Sequence, residues 1–335
     1  MPKQFVSIQI LRGLAASMVV IFHLKQLWGS EINVSIFNAG VDIFFVISGF
    51  IMAVSTNGKR DDISGFITNR LRRIFPMYVI STFLAIFVLR LSGVQHELAD
   101  VFKSLLFIPF YNSHSHFVQP ILGVGWTLNI EMVFYALFAA TMRFRIRTQW
   151  LLLATAFATA VAVRVTLKPA ETSIAFFYTS PMLFEFLGGM MLGSAVDRLY
   201  KASTAIGIFM FASGVVITIG LWRFLDLPRT IDQGGPALLL VASAIILEKK
   251  IRNFDFKTLK LLGDASYSIY LLHTLVIALF APLFSRAGMP PVYAALVLCV
   301  ASISCGVFAY RWIERPISNF THRTYRLKIS QAVKA

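Results

Sequence analysis

The sequence predicts an all-α integral membrane protein: a polytopic bundle of about ten transmembrane helices with both termini in the cytoplasm. Three observations predict this class. First, 57% of the 335 residues are hydrophobic and 14% are charged, whereas a soluble domain carries about 25% charged residues. Mean hydropathy is +0.72. Second, the apolar residues gather into stretches long enough to cross a bilayer. Third, Lys and Arg are distributed unevenly between those stretches. With the N-terminus inside, 22 of the 31 fall in the alternate segments assigned to the cytoplasm and 8 in the others, Arg12 lying within a span. Adding or removing one helix scrambles this alternation, so it supports the count as well as the orientation.

The spans are read as 5–28, 36–55, 75–91, 126–142, 150–165, 176–196, 205–223, 234–247, 267–285 and 292–313. They form a single domain over residues 1–320, followed by a basic cytoplasmic tail at 321–335. The 105–111 stretch, LLFIPFY, is too short to cross and reads as interfacial or re-entrant. The net charge of +15 would suggest nucleic acid in a soluble chain. Here no compact basic domain exists, and the charge orients the helices against anionic lipid. Nucleic acid is therefore excluded as a partner. Cys299 and Cys305, both in the last apolar run, read as buried thiols packing as small hydrophobes. His114 and His116 lack a third ligand, so no metal site is expected.

The first span carries Arg12 and His23 within an apolar run. A charge at mid-membrane costs roughly 2.5–3.5 kcal/mol on insertion scales, so something must compensate it. Eleven residues make about three turns, which puts both on one face, on the order of 16 Å apart. That face must look onto protein or water. The second span opens GVDIFFVISGF, with Asp42 just inside its outer end. A short loop joins these spans, so Asp42 and His23 are expected to meet. A carboxylate on one imidazole nitrogen leaves the other as a base. The alternative is that Asp42 caps its helix or meets interfacial water.

The next internal loop ends RLRRIFP. Arg70 and Arg73, three apart, share a helix face at the cytoplasmic surface. Two guanidinium forks there suit a phosphate, and equally a positive-inside anchor on lipid heads. The fourth span opens GWTLNIEMVFY. Trp126 fits an interfacial belt, whereas Glu131, among Leu, Ile, Met and Phe, needs a buried partner. The ninth opens LGDASYSIYLLH. Alone, His273 reads as a core histidine bonded to a neighbouring helix. The last span ends in WIERP, where Pro316 stops the helix and Glu314 pairs with a cytoplasmic arginine.

Taken together and in order, the Arg12–His23 spacing, GVDIFFVISGF, RLRRIFP, WTLNIEMVFY, LGDASYSIYLLH and WIERP resemble the membrane-bound acyltransferase family 3, from residue 12 to residue 316. The likeness is greatest to the stand-alone exopolysaccharide O-acetyltransferases, without the C-terminal hydrolase-like domain of other members. Asn129 stands where the family more often has a small residue, a change that falls on the acceptor pocket. The resemblance implies an enzyme of the bacterial inner membrane. It moves an acyl group, usually acetyl, from cytoplasmic acyl-CoA to a hydroxyl of a glycan, free or lipid-linked, in association with the polysaccharide synthesis machinery. It also implies the site residues. Arg12 and His23 match the essential pair, Asp42 and Glu131 the acids of the second and fourth helices, and Arg70 and Arg73 the Arg-x-x-Arg motif that holds the coenzyme phosphates. On this reading His23 is the general base, oriented by Asp42 or Glu131, and Arg12 holds a phosphate or the thioester. An acyl-histidine step is its main variant. Acetyl-CoA is the expected donor, with succinyl-CoA as the alternative to test. Two rival classes remain. A proton-coupled transporter or flippase would use the same intramembrane charges as a relay without consuming coenzyme A. A non-catalytic synthase subunit would tolerate their replacement.

Overall fold

The computed structural model describes residues 4–28, 34–220 and 228–321. Among them, nine helices are long and apolar enough to cross a membrane, and Thr204–Gly220 is a shorter apolar helix. In order these are α1 (Val6–His23), α2 (Ala39–Ser55), α3 (Ile63–Leu91), a short α4 (Leu98–Leu105) and α5 (Trp126–Thr141), then α6 (Ile146–Leu167). One span is interrupted into α7 (Ile174–Tyr178) and α8 (Leu183–Ser194), followed by α9 (Val196–Lys201) and α10 (Thr204–Gly220). The chain finishes with α11 (Gly235–Ile251), α12 (Lys257–Asp264), α13 (Ser266–Arg286) and α14 (Pro291–Ala309). The seventh expected span runs into residues 221–227, and the expected tail is almost wholly within 322–335, both outside the described residues.

Helix α1 is the hub of the bundle, packing on α2, α11, α12 and α13. Its N-terminus is anchored by the fully buried Glu248 of α11. That carboxylate accepts from the Val6 and Ser7 amides at 3.0 and 2.8 Å and from Ser7 Oγ at 2.7 Å. An anion at exposed helix N–H groups meets both their hydrogen-bonding need and the helix dipole. Close backbone approach does the rest. A Cβ at Gly189 of α8 would lie 2.0 Å from the Val46 carbonyl of α2, and one at Gly49 would lie 1.9 Å from the Phe186 carbonyl. Small residues at such crossings let helices touch where lipid offers no hydrophobic drive. Large apolar side chains such as Phe83, Phe87, Phe209 and Val300 face outward, as lipid-facing positions should.

Several expectations are corrected. Helix α3 begins at Ile63 rather than Phe75, because Asp62 caps it, accepting from the Gly65 amide at 2.8 Å. Arg70 and Arg73 are thus helical, and Pro76 lies inside the helix. Proline there leaves a carbonyl one turn back without its intrahelical donor, which membrane helices tolerate where neighbours supply polar groups. Tyr267 donates to the nearby Ile74 carbonyl at 2.8 Å. At the last residue of LLFIPFY begins an antiparallel hairpin of two-residue strands, β1 (Tyr111–Asn112) with β2 (Phe117–Val118), a small exception to the all-α pattern. Pro316 does not stop the last helix: a π-helical turn at Tyr310–Glu314 precedes it and helical residues continue to 321. Proline is tolerated in the first turn of a helical segment, and the π turn supplies a fresh start. Glu314 accepts from Ser268 Oγ at 2.6 Å rather than from an arginine. Cys299 is half-buried and Cys305 exposed on α14, so the thiols lie toward the outer surface of the bundle, not its core.

Candidate active site

A cavity opens between α1, α2, α3, α5 and α13. Arg12, Arg70, Arg73 and Glu131 all line it, with Ser48, Thr127, Tyr135, Tyr267 and Tyr270 among the polar groups. Arg12 is buried and its Nη1 donates to Gln9 Oε1 at 3.1 Å. Its position follows from the α1–α12 crossing, where a Cβ at Gly263 would meet the Gln9 carbonyl at 2.0 Å. Arg73 is exposed and Arg70 half-buried, which puts these two guanidinium groups at the open end of the cavity. The i, i+3 spacing on α3 aims both at the same space. Arg70 also lies over the Phe66 ring, 5.8 Å from its centroid, and donates to Ser55 Oγ at 3.4 Å.

Glu131 finds the partners it needed. It accepts from Ser48 Oγ at 2.6 Å, across the α2–α5 interface, and from the Tyr135 hydroxyl one turn on. Ser48 and Tyr135 are themselves 3.3 Å apart. Three guanidinium groups against one carboxylate leave this cavity net positive. Planar forks with several N–H donors fit a phosphate-bearing group. Phe44 and Tyr270 line the cavity as well, with ring centroids 5.8 Å apart.

His23 does not meet Asp42. Asp42 is fully buried and bound side-on by Arg229, which donates from Nε to Oδ1 at 3.2 Å and from Nη2 to Oδ2 at 2.9 Å. Burial works against the Arg229 charge, but Asp42 beside it more than offsets this and raises the guanidinium above its ordinary range. A guanidinium that donates two charge-assisted bonds outcompetes an imidazole N–H for the same carboxylate oxygens. Nor does His23 line the cavity with Glu131. It is exposed at the end of α1, and its ring nitrogen lies 3.2 Å from that of His273. Tyr270, which lines the cavity, is the next ring along, 5.9 Å from His273.

Sequence reasoning missed Arg229 and the buried Glu185, which sits beside the Asp42–Arg229 pair. Glu185 lay within an apolar span, the same signal that singled out Glu131. Arg229 had no signal, since it read as one of two outer-loop arginines. On the loop, His96 and His114 have ring centroids 5.2 Å apart, and His114 Nε2 bonds the Gln95 carbonyl. Among the described residues no group of three or more His, Cys, Asp or Glu is arranged to hold a metal.

With this geometry in place, comparison with known proteins decides the family. The acyltransferase 3 model, described as an acyltransferase domain, matches residues 5–311. The chain belongs to the acyltransferase 3 family. It is an enzyme that transfers acyl groups. The exopolysaccharide production protein ExoZ of Rhizobium meliloti (strain 1021) is 35% identical over 307 residues, which is 89% of this chain and 94% of that protein. The O-acetyltransferase OatA of Staphylococcus aureus (strain NCTC 8325 / PS 47) is 25% identical over 94% of this chain. The putative peptidoglycan O-acetyltransferase YrhL of Bacillus subtilis (strain 168) is 23% identical over 95% of it. This chain spans 57% and 56% of the lengths of those two relatives. No solved structure matches.

Proposed function

We propose that this protein transfers an acyl group, in the first instance acetyl, from acyl-CoA on the cytoplasmic side to a hydroxyl of a bacterial exopolysaccharide or related surface glycan. The observation that carries the proposal is the convergence of Arg12, Arg70 and Arg73 on one intramembrane cavity. Arg12 is buried, and a cation held within a span is expensive in lipid and marks a functional site. Phosphate is the ligand chemistry it fits, and acyl-CoA is the phosphate-bearing acyl donor. The likeness to ExoZ over nearly its whole length supports an exopolysaccharide as acceptor.

In this reading the cytoplasmic face is the end bearing Arg70 and Arg73, and the membrane is the bacterial inner membrane. The coenzyme phosphates rest on those two arginines, and Arg12 meets the arm deeper in. The thioester is carried along Tyr270, the lining ring next to His273, toward His23, which the acceptor glycan reaches from the opposite face. His23 takes the proton of the acceptor hydroxyl as its oxygen attacks the thioester carbonyl. The C–S bond then breaks, and the leaving thiolate recovers the proton from the imidazolium. The products are the glycan ester and coenzyme A with its thiol intact. General-base assistance of this kind contributes typically 10²–10⁴-fold. Glu131, held by Ser48 and Tyr135, balances the arginines rather than touching His23. Asp42 fixes Arg229 and with it the start of the α11 span.

The test is release of free coenzyme A thiol by protein in nanodiscs, with acetyl-CoA and a deacetylated oligosaccharide. The double substitution Arg70→Ala/Arg73→Ala should raise the KM for acetyl-CoA at least about tenfold, the loss of roughly 1.4 kcal/mol of donor binding. An unchanged dependence on acetyl-CoA would show that the two arginines are only topological anchors.

A further inference from the structure

The contact between His23 and His273 has a chemical consequence. His273 is fully buried on α13. Its Nδ1 lies 3.2 Å from the Ile269 carbonyl of its own helix, and its Nε2 lies 3.2 Å from His23 Nδ1. His23 Nδ1 in turn lies 2.9 Å from the Val19 carbonyl. The rings meet edge-on, with centroids 4.8 Å apart and planes at 68°.

A carbonyl oxygen can only accept, so the hydrogens are assigned by elimination. His273 Nδ1 carries its proton and gives it to Ile269. A neutral His273 therefore presents a bare lone pair at Nε2. His23 Nδ1 faces two acceptors, the Val19 carbonyl and that lone pair, so it carries a proton too and shares it between them. The second nitrogen of His23, Nε2, is then left bare. The base nitrogen is thus chosen by two backbone carbonyls and one imidazole, with no carboxylate involved among the described residues. The pair is held in register by close helix packing. Gly306 of α14 lies so near α13 that an added Cβ would sit 2.5 Å from the Ile269 Cα, which fixes the turn that carries His273.

We propose that His273 is a positioning residue for His23: it holds the tautomer that is protonated at Nδ1 and leaves Nε2 as the nitrogen that takes the acceptor proton. It fills the part that the sequence suggests for Asp42. When His23 becomes an imidazolium, its Nδ1–H still donates to His273 Nε2, so the same contact stabilises the charge that develops. The inference rests on the reading of His23 as general base and says which atom acts and what orients it.

Two measurements test it. In the first, steady-state kinetics are run on His273→Leu, His273→Gln and His23→Ala in nanodiscs. The leucine variant should lose about 10²-fold in kcat, the low end of what a general base contributes, with the KM for acetyl-CoA unchanged. The glutamine variant, whose side-chain carbonyl can accept from His23 Nδ1, should recover at least tenfold of that loss. A wild-type kcat in His273→Leu, or no recovery in His273→Gln, overturns the proposal. Full activity in His23→Ala instead overturns the general-base reading beneath it. The second measurement needs no variant of His273 to fold. Solid-state ¹⁵N NMR of histidine-labelled wild-type protein, with His23 assigned by its absence in the His23→Ala spectrum, should show Nδ1 protonated and Nε2 bare. A spectrum with Nε2 protonated overturns the tautomer assignment whatever the kinetics show.

Discussion

Replacing Arg229 by alanine tests the correction made to Asp42. The structure leaves Asp42 with no exposure and with each carboxylate oxygen on a separate Arg229 nitrogen, at 3.2 and 2.9 Å. Removing one partner of a buried pair strands the other charge and costs about 3–5 kcal/mol. The Arg229 side chain is 30% exposed, so some water reaches the pair, and the lower end of that range, about 3 kcal/mol, is expected. Glu185 makes the loss hard to escape. Its buried carboxyl adjoins Asp42, so without the guanidinium two carboxyl groups face each other with no cation beside them. Asp42→Asn should cost less, about 1–2 kcal/mol, because the guanidinium left behind is 30% exposed and the amide oxygen still accepts from it. The double variant Asp42→Asn/Arg229→Ala should then be more stable than the sum of the two losses by at least about 1 kcal/mol. The assay is reversible unfolding in bicelles by steric trapping. If the two losses add to within about 0.5 kcal/mol, the pair is not coupled and Asp42 has another partner.

Two further outcomes follow from the packing of α1 and α2. Glu248→Ala removes the acceptor of three hydrogen bonds at the start of α1, so it should cost about 2–4 kcal/mol. Glu248→Gln should cost about half as much, measured by the same unfolding assay. Gly189→Val places a branched side chain where a Cβ alone would lie 2.0 Å from a backbone carbonyl. It should abolish the folded, detergent-stable species on size-exclusion chromatography, whereas Gly220→Ala, with open space at its Cβ, should not.

The legibility of this chain in its sequence differs by residue. Helix positions were legible because lipid forces long apolar runs and leaves charge only at their ends. Arg12 and Glu131 were legible because a charge in an apolar run demands a reason, Arg70 and Arg73 because their spacing puts two guanidinium forks on one face, and the structure collects all four around one cavity. Partnerships were not legible. Asp42 sits near His23 in sequence order, yet its carboxylate goes to Arg229, 187 positions away. His23 takes its neighbour from α13, 250 positions away. Loop length decides which helices are joined, but helix rotation decides which side chains meet, and rotation is set by packing such as Gly49 on Phe186. Pro316 misled because proline is a strong breaker in water, while in the bundle a π turn before it absorbs it.

The central claim is that an acyl group passes from coenzyme A to a glycan hydroxyl at His23. The most direct measurement incubates the purified protein with ¹³C-acetyl-CoA and a deacetylated exopolysaccharide oligosaccharide and follows the glycan by mass spectrometry. The account predicts a labelled ester on the glycan, matched mole for mole by free coenzyme A, and a loss of at least about 10²-fold in its rate for folded His23→Ala. Coenzyme A left unconsumed, or a labelled glycan made equally fast by His23→Ala, would contradict it.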